Sequence, residues 1–171
     1  MFEFRTKRLV LRDVLQSDFA ALHRLRSDPA VTRYMDYITS ESEQETREWI
    51  QGTMQHNALT PRRSYNLTIV RQSDNEILGW IGIGIGESEN PQHGDVDFGY
   101  AILPAYWGQG YATEALAAII KIAFKALGAV GVYGECDVRN SASARVMAKA
   151  GLRRVEAVED DEVVYAITRE A

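Results

Sequence analysis

The chain has 171 residues, of which 46% are hydrophobic and 25% are charged, and its formal net charge is −5. These values are typical of a folded protein of one domain and exclude wholesale disorder. The excess of acidic residues argues against a protein that mainly neutralises nucleic-acid phosphates or anionic lipid. The one cysteine, Cys136, cannot form an internal disulfide or a thiolate metal site, and we expect it in the core.

Apolar periodicity and turn residues predict alternating strands and helices in the first half of the chain. The pattern predicts a strand over 8–14, a helix over 18–26, a helix over about 41–55, and the strands of a hairpin over about 65–69 and 77–85. Ser17 is placed to cap the first helix, and the pair Asp28-Pro29 is placed to end it. Ser40 and Glu43 have the spacing of a capping box for the second helix.

The second half continues the alternation and ends in a hairpin. The predicted elements are a strand over 95–103, a helix over about 110–127, a strand over 132–138, a helix over 141–149, and closing strands over 155–158 and 163–168. Gly151 lies where a helix C-cap glycine belongs. This order predicts an α/β or α+β fold in which helices cover a single layer of sheet.

The distribution of apolar and charged residues also bears on location. No stretch approaches the ~18 apolar residues that cross a bilayer. The N-terminal segment carries charges where a secretory signal needs an apolar run. The histidines are scattered without the spacing of a metal site. We therefore expect a cytoplasmic protein of a single domain, residues 1–171, with no metal and with neither nucleic acid nor membrane as a partner.

The segment most informative about function joins the strand over 95–103 to the helix over 110–127. There Pro104 breaks the strand, and Gly108 and Gly110 precede an alanine-rich amphipathic helix. The first amides of a helix have no internal partner and lie at the positive end of its dipole, so an anion that approaches past glycines can bind them. The structural alternative is a tight turn in which the glycines only supply positive φ.

Two other phosphate-binding motifs can be compared with this segment. A P-loop requires a lysine after its last glycine, and that lysine is absent. A dinucleotide fingerprint requires a third small residue and a place after the first strand, whereas Thr113 is larger and the segment comes late in the chain. Both comparisons argue against a nucleotide-binding loop of these two types.

A resemblance to a known family begins with six residues, Trp107-Gly108-Gln109-Gly110-Tyr111-Ala112. They are similar to the Q/R-x-x-G-x-G/A motif with which GNAT acetyltransferases bind the pyrophosphate of acetyl-CoA, with Trp107 in place of the first Gln or Arg. The longer stretch over 99–115 resembles the ribosomal-protein N-terminal acetyltransferase branch of that family. Further pieces match in the order of that branch: Thr6-Lys7-Arg8-Leu9-Val10-Leu11-Arg12, Asp28-Pro29-Ala30-Val31-Thr32-Arg33-Tyr34, Leu78-Gly79-Trp80-Ile81-Gly82 and Asn140-Ser141-Ala142-Ser143. The resemblance implies a single GNAT-like domain, with a mixed, mostly antiparallel sheet splayed into a V and flanked by about four helices.

The resemblance also implies acetyl-CoA as the cosubstrate. Backbone amides of Ala101, Ile102 and Leu103 are expected to face its thioester and pantetheine. The residues expected around its diphosphate are Trp107, Gly108, Gln109, Gly110, Tyr111, Ala112 and Thr113. Asn140 and Ser143 are expected beside the pantetheine arm and the sulfur. From the residues alone, 101–103 is a buried strand and Asn140 is a helix cap.

The implied reaction is attack of an amine on the acetyl thioester, which needs an unprotonated amine and a proton for the departing sulfur. Asp97 stands where the branch usually carries Glu, and it is the candidate base, acting directly or through water. Asn140 would hold the pantetheine arm or the incoming amine, and Ser143 would protonate the sulfur. Tyr100 and Tyr106 are alternative proton donors. From the residues alone, Asp97 is equally well a solvated carboxylate at a strand edge.

The sequence says less about the amine acceptor than about the cosubstrate. Arg33, Tyr34, Tyr37 and Trp80 fall in segments that line the acceptor cleft of relatives, and core or surface roles are equally consistent with them. The resemblance to the ribosomal-protein branch implies a protein N-terminal α-amine as the leading candidate, and such amines are partly unprotonated near neutral pH. The alternatives are a small amine, such as a polyamine, amino acid or antibiotic, and a CoA-binding module without catalysis. The sequence is consistent with either a monomer or a homodimer.

Overall fold

One mixed sheet organises the fold in a computed structural model of the chain. The structure describes residues 1–40, 42–85, 94–155 and 161–169. The strands are β1 (Glu3–Arg5), β2 (Leu9–Asp13), β3 (Ser64–Arg71), β4 (Ile77–Ile85), β5 (Val96–Ile102), β6 (Gly131–Asp137), β7 (Arg153–Arg154) and β8 (Glu162–Thr168). Their order is β1-β2-β3-β4-β5-β6-β8-β7, and every neighbouring pair is antiparallel except β5 and β6. The predicted mixed, mostly antiparallel sheet is confirmed.

Helices cover both faces of the sheet. They are α1 (Phe19–Ser27), α2 (Pro29–Thr32), α3 (Glu43–Asn57), α4 (Tyr111–Ile122), which continues as a π-helical turn over Ala123–Leu127, and α5 (Ser141–Lys149). One core cluster joins α4 to the sheet through the fully buried Leu116 and Ile119, and a second joins α1 and α3 through Leu22 and Ile50. Successive residues at the end of β5 alternate between the two clusters, so the clusters lie on opposite faces. None of the described helices is both long enough and apolar enough to cross a lipid bilayer.

The element bounds differ from the predicted ones mainly at the two ends of the chain. β1 was not predicted, because three residues are too few to display alternation. The predicted strand over 155–158 lies almost wholly outside the described residues, and β7 immediately precedes it. α2 is a short additional helix that begins at Pro29, with Asp28 as its N-cap.

The predicted N-caps of α1 and α3 were wrong. Ser17 lies inside a 3₁₀ turn, Gln16–Asp18, and the N-cap position of α1 is Asp18, which makes no side-chain cap bond. Ser40 is buried, and its hydroxyl accepts a hydrogen bond from Arg26 Nε at 2.8 Å instead of capping α3. The cap of α3 is Ser42, whose hydroxyl accepts from the Glu45 amide at 3.2 Å. Both pairs have the S-x-x-E spacing, so spacing alone could not choose between them.

The sheet splits between its two parallel strands. β5 and β6 pair only at Val96 with Val132 and at Asp97 with Tyr133. Beyond these pairs, β5 stays bonded to β4 and β6 to β8, so the two strands diverge toward their carboxyl ends. The ring of Phe98 fills the space beside Gly134, where a Cβ atom would lie 2.4 Å from that ring. The split is the V that the resemblance implies.

Candidate active site

A cavity of about 610 Å³ occupies the split between β5 and β6. Its wall comes from β5, β6, the start of α5, the segment after α2 and the first residue of β8. The lining residues are Arg33, Tyr34, Met35, Tyr37, Asp97, Phe98, Gly99, Tyr100, Tyr133, Gly134, Glu135, Cys136, Asp137, Asn140, Ser143 and Glu162. The fold therefore brings Asp97, Asn140 and Ser143 together with three of the four predicted acceptor residues, Arg33, Tyr34 and Tyr37.

Asp97 places a carboxylate in the wall of this cavity, near the point where the strands separate. The residue is open to the cavity, but its carboxylate is partly removed from water, and this loss of hydration raises its pKa. None of the ion pairs among the described residues includes Asp97. An unpaired carboxylate with a raised pKa is a better proton acceptor than an ordinary aspartate.

Ser143 projects from the first turn of α5 toward β5. Its hydroxyl lies 2.9 Å from the hydroxyl of Tyr100, and its amide donates to Asn140 Oδ1 at 3.1 Å. Asn140 therefore is the helix cap that the residues alone predicted. Burial raises the pKa of Tyr100 to about 12, against the weaker opposing effect of the bond to Ser143. Both hydroxyls are therefore protonated at neutral pH, and either one can donate a proton.

The three amides that were predicted to face the cosubstrate lie at the end of β5 and do not all point in the same direction. The Leu103 amide donates to the Leu78 carbonyl at 2.8 Å, so the sheet uses it and it cannot face a thioester. Alternate residues of an antiparallel strand direct their backbone groups to opposite edges, so Ala101 also points toward β4 and Ile102 points toward the split. The Ile102 carbonyl accepts from Trp107 Nε1 at 2.6 Å on that side. The prediction for Leu103 and Ala101 as amide donors is corrected, and Ile102 stays a candidate.

The start of α4 has the geometry of an anion-binding turn. Gly108 and Gly110 have φ of 74° and 80°, in the left-handed region that favours glycine. The first helical bond runs from the Glu114 amide to the Gly110 carbonyl at 3.1 Å, so the amides before it have no partner within the helix. No atom lies within 4 Å of the position that a Cβ on Gly108 would take. The remaining residues of this segment lie at the surface (Gln109), in the core (Tyr111) and at intermediate depth (Ala112 and Thr113).

The acceptor side of the cavity contains three of its four predicted residues. Tyr37 is 69% exposed, and Arg33 and Tyr34 adjoin it in the wall, with the Arg33 guanidinium 5.3 Å from the Tyr34 ring centre. Trp80 is not brought to the wall. It is 8% exposed and packs edge-on against Trp49, with ring centres 5.8 Å apart.

Comparison with known proteins decides the family. The model of the acetyltransferase (GNAT) domain family matches residues 8–153. The chain belongs to the GNAT acetyltransferase family. As a GNAT enzyme, it takes its acetyl group from acetyl-CoA. The left-handed glycines and the partner-free amides at the start of α4 fit the diphosphate of that cosubstrate.

Individual relatives and solved structures are similar to this GNAT chain. It is 36% identical, over 118 residues, to the FsC-acetyl coenzyme A-N(2)-transacetylase of Aspergillus fumigatus, and this match covers 60% of the chain but only 50% of that protein. A GNAT acetyltransferase structure from Bacillus anthracis superposes with a TM-score of 0.81 at 26% identity, covering 98% of both chains. RimL, a ribosomal L7/L12 α-N-protein acetyltransferase in complex with coenzyme A, superposes with a TM-score of 0.77 at 22% identity, covering 98% of both chains.

The structure adds residues to the GNAT cavity that the sequence reasoning missed. Cys136 is 8% exposed, as predicted for a core thiol, yet it also lines the cavity, and burial raises its pKa. Glu135, Asp137 and Glu162 bring carboxylates to the same wall. Arg139 pairs with Asp137 and lowers its pKa to about 2. The signal for Glu135, Cys136 and Asp137 was their position on the strand before Asn140, because β6 forms one side of the split. Glu162 begins β8, and no local signal pointed to it.

Proposed function

We propose that this GNAT chain is a cytoplasmic enzyme that transfers acetyl from acetyl-CoA to an α-amino group, with a protein N-terminus as the first candidate acceptor. The observation that carries the proposal is the convergence of Asp97, Tyr100 and Ser143 on one cavity in the split sheet. A proton acceptor on β5 and proton donors on β5 and α5 are the two functions that amine acetylation needs.

The roles proposed for the residues follow the proton balance of the reaction. Acetyl-CoA supplies an acyl group activated as a thioester. Asp97 accepts a proton from the incoming amine, directly or through water, as the new carbon–nitrogen bond forms. The Ile102 amide, directed toward the split, donates a hydrogen bond to the thioester oxygen. Ser143 donates its proton to the sulfur as the carbon–sulfur bond breaks, and Tyr100 replaces that proton. Tyr100 regains a proton through water from Asp97, which holds the proton taken from the amine. The products are an acetylated amine and free CoA.

The charge of the cavity supports a cationic acceptor. Four lining side chains are carboxylic acids, Asp97, Glu135, Asp137 and Glu162, and one lining residue, Arg33, is basic. The pairing of Arg139 with Asp137 offsets one of these acidic charges, and the wall still has more acidic than basic groups. Such a wall attracts an ammonium group before it loses its proton. An α-amine has a pKa of ~7.7–8.0 against ~10.4 for lysine, so a carboxylate base suits an α-amine better. The name of RimL, an α-N-protein acetyltransferase of the same fold, supports the same choice.

A small-molecule amine is the second candidate. It is favoured by the Aspergillus relative, whose name describes an acetyl transfer to N(2) of an acceptor called FsC. A CoA-binding module without catalysis is a weaker third reading, because the unpaired carboxylate of Asp97 and the hydroxyl pair of Tyr100 and Ser143 have no purpose in simple binding.

A panel of acceptors tests the proposal. The purified chain is incubated with acetyl-CoA and either N-terminal peptides, polyamines, free amino acids or aminoglycosides, and release of free CoA thiol is followed. The proposal predicts release that depends on peptides with a free N-terminus. Release with small amines alone supports the second candidate, and CoA binding without release for any acceptor supports the third. Mixtures that lack either the chain or the acceptor are the controls for spontaneous thioester hydrolysis.

A further inference from the structure

The N-terminal segment is bonded to the start of α4 through a partly buried carboxylate, Glu114. Glu114 Oε1 accepts from the Thr6 hydroxyl at 2.6 Å and from the Arg8 amide at 2.8 Å. Glu114 Oε2 accepts from Arg8 Nε at 2.7 Å. These contacts join two pieces of sequence that are about a hundred residues apart, and the acetyl-transfer chemistry described above uses neither Thr6 nor Arg8.

The guanidinium of Arg8 covers the turn that precedes α4. Its Nη1 donates to the Gln109 carbonyl at 3.0 Å, and its Cζ lies 4.4 Å from the centre of the Tyr111 ring. Its Nη2 lies 3.5 Å from the position that a Cβ on Gly110 would take. A Cβ there would be in ordinary van der Waals contact with the guanidinium, so glycine is favoured at this position by its φ of 80°.

Holding the Gln109 carbonyl fixes the direction of the next amide. In a planar trans peptide the carbonyl and the following N–H point in opposite directions. Because Arg8 holds the Gln109 carbonyl, the Gly110 N–H must point away from Arg8. The other peptide of Gly110 is fixed by the bond from the Glu114 amide to its carbonyl at 3.1 Å. Both peptides of this glycine are thereby fixed before any anion binds.

Arg8 also offsets a charge that would oppose an anion at this place. Glu114 lies in the first turn of α4. Burial alone would raise its pKa, but the hydrogen bonds from Thr6 and Arg8 lower it, so the carboxylate is ionised at neutral pH. An unpaired carboxylate in the first turn would repel a diphosphate bound at the same helix end. The pairing with Arg8 reduces this repulsion.

We propose that Arg8 is a positioning residue for the cosubstrate: it orients the Gly110 amide and neutralises Glu114, so that the α4 turn is ready for the diphosphate of CoA. This inference rests on the proposed binding of the diphosphate at that turn. Its effect is confined to the diphosphate end of the cosubstrate, because Arg8 is not part of the cavity wall that surrounds the reacting groups.

The test compares Arg8→Met with Arg5→Met, which removes an exposed arginine of the same segment that pairs with Glu3 in β1. We expect Arg8→Met to weaken CoA binding in calorimetry at least about tenfold, the usual effect of losing a charged hydrogen-bond partner. Arg5→Met should leave it unchanged. Turnover of acetyl-pantetheine, which lacks the diphosphate, should be the same in both variants. Arg8→Lys, a milder change, keeps the charge but cannot hold Gln109 and Glu114 together, and it should also weaken CoA binding.

Each other outcome overturns the inference. If Arg8→Met and Arg8→Lys bind CoA like the wild type, Arg8 has no role in positioning. If Arg8→Met reduces acetyl-pantetheine turnover as much as acetyl-CoA turnover, with a lower melting temperature, its role is structural only. Gly110→Asp separates this failure from failure of the proposed function. If Gly110→Asp weakens CoA binding and Arg8→Met does not, the diphosphate site stands without Arg8, whereas if neither weakens it, the diphosphate lies elsewhere.

Discussion

The hydroxyls of Tyr100 and Ser143 lie 2.9 Å apart and join β5 to α5 across the split in the sheet. Ser143 has a fixed position because its amide is held by the Asn140 side chain at 3.1 Å. A proton that leaves Ser143 can be replaced from Tyr100 without solvent. The pair therefore suits protonation of a sulfur that departs inside the cavity.

Replacing Ser143 should slow the chemical step more than it weakens CoA binding. We expect Ser143→Ala to lower kcat by about 10²-fold, the usual size of a general-acid effect, because proton donation matters mainly in the transition state. Tyr100→Phe keeps the ring and should lower kcat less, since Ser143 can still donate. Single-turnover rates and CoA calorimetry measure both effects. If Ser143→Ala reduced only the melting temperature, with an unchanged rate per folded molecule, the proton would come from Tyr100 or water.

Replacing Asp97 should reduce the rate most at pH values between the raised pKa of its carboxyl and the pKa of the α-amine, where the wild type has an ionised base and the amine is still protonated. In the wild type, activity should fall as the pH drops through the raised pKa of Asp97, because the protonated carboxyl cannot accept a proton. Asp97→Asn should cost about 10²-fold near pH 7 and much less at pH 9, where the α-amine is already unprotonated. Asp97→Glu introduces the residue typical of the branch that the chain resembles, and this variant should retain the activity that Asp97→Asn loses. An equal loss at every pH would contradict the role of a base.

The same raised pKa gives a prediction for stability. A carboxyl whose pKa is higher in the folded state than in the unfolded state stabilises the fold at low pH, and this contribution is lost as the pH rises through the folded pKa. Asp97→Asn removes the ionisation, so at pH 7 the variant should unfold at a higher temperature than the wild type. A lower melting temperature at pH 7 would mean that the carboxylate is a stabilising structural group.

The proposed anion site at the start of α4 can be tested with two variants whose new side chains have similar shapes and different charges. Gly110→Asp adds a negative side chain beside the proposed diphosphate and should weaken CoA binding by at least about tenfold. Gly110→Asn is the matched control, because asparagine also tolerates positive φ and is uncharged. In calorimetry, Gly110→Asn should lose clearly less affinity for CoA than Gly110→Asp. Wild-type affinity in the Gly110→Asp variant would show that the diphosphate binds elsewhere.

A buried ion pair next to the sheet should dominate the acid sensitivity of the fold. Asp18 is 2% exposed and accepts from Arg12 at 2.7 Å and from Thr68 at 2.8 Å. Burial alone would raise its pKa, but the hydrogen bonds from Arg12, Leu15 and Thr68 lower it. Its contribution is therefore present above the unfolded pKa of ~3.9 and lost as the pH falls through the folded value.

Urea denaturation measures this contribution. Asp18→Asn leaves the Arg12 charge without its partner and should cost about 3–5 kcal/mol of the free energy of unfolding. Asp74→Asn is the control: Asp74 pairs with Arg71 at the surface, and its loss should change the free energy of unfolding much less than the loss of Asp18. Equal effects of the two substitutions would contradict the structural role given to Asp18.

Local features were predictable from the sequence where a few adjacent residues decide the structure. The start of α4 was predicted because Pro104, Gly108 and Gly110 follow one another within seven positions. The hairpin of β3 and β4 was predicted from the alternation of apolar and polar residues. The choice between Ser40 and Ser42 as a cap was not, because it depends on Arg26, which comes from another helix.

Features that depend on strand pairing and packing were beyond local patterns. The use of the Leu103 amide by the sheet follows from its pairing with Leu78 on β4. The position of Trp80 behind the cavity depends on Trp49 in α3. The approach of Tyr100 to Ser143 depends on how far β5 and β6 diverge. The candidate site was thus predicted through a family resemblance, and the geometry of its donors required the structure.

The most direct measurement of the proposed activity locates the acetyl group after the reaction. A peptide with a free, small N-terminal residue and an internal lysine is incubated with the chain and acetyl-CoA, and fragment masses identify the modified nitrogen. A peptide of the same sequence with a blocked N-terminus is the control. We predict acetylation at the α-amine of the free peptide and no reaction of the blocked one. Acetylation of the lysine in the blocked peptide at an equal rate would contradict the assignment of an α-amine acceptor.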